Sequence, residues 1–221
     1  MLGKLLFRIA KAPLMGRIVG LAFQRCPWAL PVKKIYCNRD VLAFDHPRPS
    51  YENHIIISPR KPVRSLRHMT SCDLMKIWDA AGDIRAAHPA YHGPFTLVAN
   101  GGKKQEVQQV HFHMFTHHDM VRDAQGNAEI ALFHDEDTAV WEHPDPDWDI
   151  HAVLKPMAGA KRDCYFRSVL HSMDQLDASF HLAQRGYSLV CQSDQANHDA
   201  ECPVFHIISG RKTQEARSET P

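Results

Sequence analysis

Two histidines separated by one residue, His111 and His113 in the stretch VHFHMF, are the side chains of this sequence best placed to do chemistry. On an extended strand successive side chains alternate between faces, so both imidazoles and Phe115 share one side. Two chemistries use such a pair. Imidazoles two residues apart grip a single metal ion, here with a third ligand drawn from His54, His117, His118 or Asp119. The other chemistry is attack on phosphorus. A neutral imidazole takes a phosphoryl group as a phosphoramidate and splits a hard displacement into two easier ones. It needs donors on the phosphate oxygens and a neighbour that fixes the tautomer of the attacking ring.

The elements that hold these residues are written twice. FDHPRPSYENHIIISP, from Phe44, aligns without a gap on WEHPDPDWDIHAVLKP, from Trp141. His46 then falls on His143, Tyr51 on Trp148, His54 on His151 and Pro59 on Pro156, all at a shift of 97. Further on, FTLVAN from Phe95 lies over YSLVCQ from Tyr187, and VHFHMF from Val110 over PVFHII from Pro203, at shifts of 92 and 93. This internal repetition predicts one small α+β unit fused to a second copy of itself.

Within the first copy, IYCN and VLAF flank a polar turn and HIIIS is a β-branched run, all read as strands. Residues 64–89 carry Leu74, Ile77, Trp78, Ala81 and Ile84 at helical spacing. FTLVAN, Gly101-Gly102 and EVQQVHFHMF then predict a hairpin. The second copy repeats the order: ALFH, AVWE, HAVLK, a helix over about 165–185 stopped by Gly186, YSLV and VFHIIS. The expected organisation is a basic segment at 1–34, unit 1 at 35–125, unit 2 at 126–210 and a polar tail at 211–221.

A chain of 221 residues with 44% hydrophobic content has the material for one or two globular cores. The net charge of +1 points to no nucleic acid partner. The charge is unevenly spread, however. Residues 1–39 hold eight Lys or Arg and no acid. Leu2, Leu5, Leu6 and Ile9 share one helical face there. That pattern suits two short helices packed on the body, an amphipathic segment on an anionic membrane surface through residues 1–30, or a mitochondrial presequence. Six scattered cysteines without a CxxC pair fit a reducing, cytoplasmic compartment.

NHIIISPRK, LVANGG and VHFHMF, in this order and spacing, resemble the histidine triad (HIT) superfamily of nucleotide hydrolases and transferases. The resemblance covers residues 35–118 well and 130–210 more weakly. It implies an α+β fold in which two HIT-like units, each a five-stranded antiparallel sheet plus a helix, form an intrachain pseudo-dimer with one continuous sheet. It also implies a nucleotide substrate, a nucleotidyl-histidine intermediate, no cofactor, no tightly held metal and a monomeric chain. His113 corresponds to the nucleophile and His111 to the histidine that fixes the site's geometry. Asn100 corresponds to the phosphate-contacting amide, Asp45 to the ribose-binding acid, and His54 to the histidine opening the strand after the nucleotide loop. The family's third histidine is Phe115 here, and Gln108 is the residue left to contact the leaving group. In the second copy His206, Gln192 and His151 fall on His113, Asn100 and His54, while Val204 and Ile208 replace the flanking histidines. The alternative to an enzyme is a nucleotide-binding or membrane-associated module without catalysis.

Overall fold

The computed structural model describes residues 32–116, 120–121, 130–193 and 201–211. The N-terminal basic segment up to residue 31, residues 122–129 and 194–200, the polar tail after Arg211, and His117, His118 and Asp119 lie outside the described residues. No helix among the described residues is long and apolar enough to cross a membrane.

The first half contributes β1 (Lys34–Cys37), β2 (Val41–Asp45), β3 (Glu52–Pro59), helix α1 (Ser71–Ala87), β4 (Phe95–Gly101) and β5 (Phe112–Thr116). The second contributes β6 (Ile130–His134), β7 (Thr138–Glu142), β8 (Trp148–Pro156), α2 (Arg162–Phe180), the short α3 (Leu182–Arg185), β9 (Tyr187–Ser193) and β10 (Phe205–Arg211). All ten strands form one sheet in the order β1-β2-β3-β5-β4-β9-β10-β8-β7-β6. Each half has the same internal order, and the halves join where β4 pairs antiparallel with β9. At that seam Val98 lies opposite Val190. These two are repeat equivalents, so the pseudo-twofold axis passes between them. The α+β pseudo-dimer with a continuous sheet is therefore the fold.

The pleat divides the strands. Ile55, Ile57, Leu97, Phe112, Met114, Leu189, Phe205 and Ile207 face α1 and α2 and form the main core with Leu74, Ile77, Phe166 and Val169. The alternate residues face the other side, here termed the open face. At its centre Val98, Phe115, Val121, Val190 and Ile208 cluster, with Tyr51, Met120 and Trp148 packed against them. Gly101 permits the seam to close, because a Cβ there would run into the Tyr187 ring on the facing strand.

Three expected elements differ from what their periodicity suggested. The first helix begins at Ser71 because Thr70 and Asp73 form a capping box, Asp73 also taking Lys61 Nζ at 2.8 Å. The second breaks at His181, which adopts φ 53°, before α3 ends at Gly186 with φ 80°. The expected hairpin is not tight. After Gly101 the chain makes a 3-10 turn over Gly102–Lys104 and crosses in irregular backbone to β5. Gln109 pins that crossing: its amide nitrogen donates to Pro59 O (3.0 Å) and Lys61 O (3.1 Å), and its oxygen accepts from Val63 N–H (3.1 Å). His111 consequently sits just before the strand, at its lip.

Candidate active site

Four imidazoles meet on the open face of unit 1. His113, on β5, is flanked across the sheet by Ile56 of β3 and Val98 of β4. His54, on β3, reaches it with Nε2 3.0 Å from His113 Nδ1. A bulge places His54: the β3–β5 register slips between Glu52 and Ile55, and Asn53 takes φ 48°. Asn tolerates that left-handed conformation, and its Nδ2 is tied to Ala90 O (3.0 Å) and Thr116 Oγ1 (2.9 Å). His111 Nδ1–H donates to Gln109 O at 2.9 Å, and its ring meets His113 edge to face at 5.0 Å. His46 stacks on His54 with centroids 4.1 Å apart and planes within 8°.

Backbone donors fix the proton pattern. Ser50 N–H donates to His54 Nδ1 (3.2 Å), so neutral His54 carries its proton on Nε2 and gives it to His113 Nδ1. Neutral His113 then holds its own proton on Nε2. Burial pushes His54 down to about 4, helped by His46. Burial first, then His111, His54 and His46, pushes His113 to about 2, and burial also lowers His111 and His46. All four rings are neutral at pH 7.

His46, His54 and His113 each offer a nitrogen, all within 4.8 Å of one another. The hydrogen bonds oppose a metal there. A neutral imidazole bound to a metal through Nε2 bears its proton on Nδ1. Yet His54 Nδ1 accepts from Ser50, and His46 Nδ1 accepts from Arg48 N–H at 3.1 Å.

Beside the imidazoles lies a cavity of about 560 Å³, whose lining includes Asp45, His46, Tyr51, Asn53, His54 and Tyr91. Asp45 is part-exposed at its rim and pairs with Lys33 Nζ at 3.3 Å. Asn100 sits on the open face of β4, and its Oδ1 accepts from Ser188 Oγ (2.8 Å), leaving its NH₂ to donate. Gln108 is exposed on the crossing before β5, whereas Gln109 is buried. Phe115 occupies no polar cleft. It is 1% exposed in the central apolar cluster and stacks on Tyr51 at 4.1 Å.

In unit 2 the corresponding pair is present. His151 Nε2 lies 2.9 Å from His206 Nδ1. Gln192 Oε1 accepts from Val121 N–H at 2.6 Å, which ties it to the chain leaving β5. Here, however, His151 Nδ1 meets Asp145 Oδ2 at 2.8 Å. Spacing missed two residues of these sites. His46 had a signal, its repetition as His143. Asp145 had none, because at a shift of 97 it falls on Arg48.

Fold and site together define a class: a duplicated α+β chain with paired imidazoles on the open face of a shared sheet. Residues 29–120 match the family described as HIT domain, and a second unit with the same strand order follows them. Across both units the chain is similar to yeast Ap4A phosphorylase Apa2 in complex with AMP. That likeness has 11% identity and a TM-score of 0.53, and it covers 88% of this chain and 64% of that one. Single-unit likenesses include a HIT family hydrolase from Legionella pneumophila Philadelphia 1 (21% identity, TM-score 0.38, 46% of this chain and 95% of that one). A histidine triad protein from Clostridium difficile is similar at 23% identity and a TM-score of 0.40, covering 49% of this chain and 96% of that one. Comparison with curated proteins gave no match.

Proposed function

We propose that this chain is a nucleotide hydrolase or nucleotidyltransferase working through a nucleotidyl-histidine at His113. The observation that carries this is the His54–His113 hydrogen bond on the open face, beside a cavity with Asp45 at its rim. Neutral, partly exposed His113 Nε2–H first donates to an oxygen of the α-phosphate, and the Asn100 NH₂ donates to another. Asp45 holds the ribose hydroxyls, and Gln108 contacts the leaving group. His111, locked by Gln109, keeps the His113 ring in place. AMP in the yeast phosphorylase of similar fold is in keeping with a nucleoside phosphate substrate.

Attack requires the proton pattern to reverse. The Nε2 proton of His54 passes to His113 Nδ1, His113 releases its own Nε2 proton to solvent, and His54 takes a proton from solvent on Nδ1 in place of the hydrogen bond from Ser50. Ser50 is exposed in the loop before β3, so the reversal breaks one hydrogen bond of about 1 kcal/mol and re-forms another. The Nε2 lone pair then bonds to phosphorus, and the leaving group departs with its oxygen's electron pair. Water or an acceptor hydroxyl later breaks the P–N bond.

The resting proton on His113 Nε2 also favours a second reading, a nucleotide-binding module that donates to phosphate without attacking it. One experiment separates the two. With His206 replaced by Gln in both proteins, so that only unit 1 is assayed, His113→Ala lowers turnover of ATP, ADP or a dinucleoside polyphosphate by at least roughly a thousandfold. Unchanged turnover refutes the proposal, and saturable binding without any product supports the module.

A further inference from the structure

Unit 2 is the weaker copy by sequence, having lost both histidines that flank its central one, yet its hydrogen bonds run in the direction that attack requires. Asp145 Oδ1 accepts from Asp147 N–H at 2.7 Å, which orients the carboxylate. Its other oxygen, Oδ2, accepts His151 Nδ1–H at 2.8 Å, with both side chains buried. Neutral His151 therefore presents a lone pair on Nε2. That lone pair accepts His206 Nδ1–H at 2.9 Å, so neutral His206 carries its lone pair on Nε2. In unit 1 a backbone N–H enters at the same ring position, and every proton in that chain of bonds is reversed.

Position agrees with polarity. His113, Val98, Val190 and His206 form one row across β5, β4, β9 and β10. The two reactive rings thus share the open face, separated by three strand spacings, about 14 Å. Like His113, His206 is only part-buried on that face. Lys155 shares a face of β8 with His151 and Val153, and it is close enough to oppose protonation of His206; unit 1 has the buried Ser58 at that position. An ammonium group beside a lone-pair imidazole suits an incoming phosphate.

We infer that His206 is a second nucleophile toward phosphorus, held ready by an Asp145–His151 relay, and that unit 2 forms its own phosphoramidate with a nucleoside phosphate. The inference concerns the same chemistry as that proposed for unit 1 but not the same residue. His206 Nε2 donates its pair to phosphorus, the P–O bond to the leaving group breaks, and that oxygen departs with the pair. The positive charge developing on His206 is shared through its Nδ1–H with His151 and balanced by Asp145, as a buried carboxylate supports a catalytic imidazole elsewhere. Attack of water on phosphorus then breaks the P–N bond and returns the pair to Nε2, the water proton passing to solvent. His206 is the catalytic residue, and His151 and Asp145 are positioning residues.

The test is site-resolved labelling of the full chain with ATP carrying its label on the α-phosphate, quenched at alkaline pH because phosphoramidates are labile in acid. Peptide mass mapping then assigns the label. In His113→Ala the label is expected on the His206 peptide, and in the His113→Ala, His206→Gln double variant it is expected to vanish. Asp145→Asn keeps an oxygen for Asp147 N–H but turns an NH₂ toward His151, imposing on unit 2 the polarity of unit 1. It is expected to slow labelling of His206 at least about tenfold at an unchanged melting temperature, which a purely structural role would not do. Label at His113 alone overturns this inference and leaves the unit 1 proposal standing. Label at His206 alone supports the inference and overturns that proposal. Label at neither overturns both.

Discussion

Replacing Phe115 tests whether the third position of the histidine motif has become part of the packing. Phe115 is 1% exposed, stacks on Tyr51, meets His54 edge-on at 5.6 Å, and packs with Val98, Val121, Val190 and Ile208 at the pseudo-twofold axis. Truncation to Ala removes a fully buried aromatic ring whose neighbours come from several strands, so little collapse is available to fill the void. Such a change costs about 3–5 kcal/mol. For a chain of this size each kcal/mol moves Tm by about 2–4 °C, so the expected fall is about 6–20 °C. Phe115→His retains a ring but sets two nitrogens in the central apolar cluster, and an unpaired buried polar group adds about 1–3 kcal/mol. The assay is thermal and urea unfolding of Phe115→Ala, Phe115→His and the equivalent Ile208→His, with turnover measured in parallel. A Phe115→His protein as stable as the parent and faster in turnover would refute the reasoning, because it would mean that the position still faces phosphate.

Acid should destabilise the fold in a defined window. His54, His113 and His206 are held below the ordinary 6.5 by burial, to about 4, about 2 and about 3. The unfolded chain therefore binds the extra protons. Their contribution is complete above about pH 6.5 and declines as pH falls toward 4, by up to about 1.4 kcal/mol per pH unit for each group. Urea midpoints that stay level from pH 6.5 to 4.5 would contradict this. At the seam, Gly101→Val should lower stability by about 1–3 kcal/mol through collision with Tyr187. Tyr187→Ala in the same protein should recover part of that loss, and a double-mutant cycle with no coupling would place the strain elsewhere.

The repeat was legible because matched His, Pro and aromatic residues mark the same turns and strand starts in both copies, as His46 and His143 or Tyr51 and Trp148 do. Strand alternation likewise fixes His113 and Phe115 to one face, since the pleat has period two. Helix limits were less legible. Leu66 is buried like a helical residue, but the side chain that caps the helix is Thr70, so apolar spacing ran past the true start.

What sequence alone determined is the duplicated α+β architecture and the correspondence of His54 with His151 and of His113 with His206; the structure then brought His54 to His113 and His151 to His206. Only the tertiary structure decided which way the protons point in each pair. That direction depends on whether a loop turns a backbone N–H, as at Ser50, or a carboxylate, as at Asp145, toward a ring nitrogen. Neither the residue type of a histidine nor its spacing encodes its tautomer; the partner at hydrogen-bond distance does. The same holds for Phe115, whose replacement of a histidine reads as a lost phosphate contact until the sheet places it at the axis where the two halves bury their apolar centre.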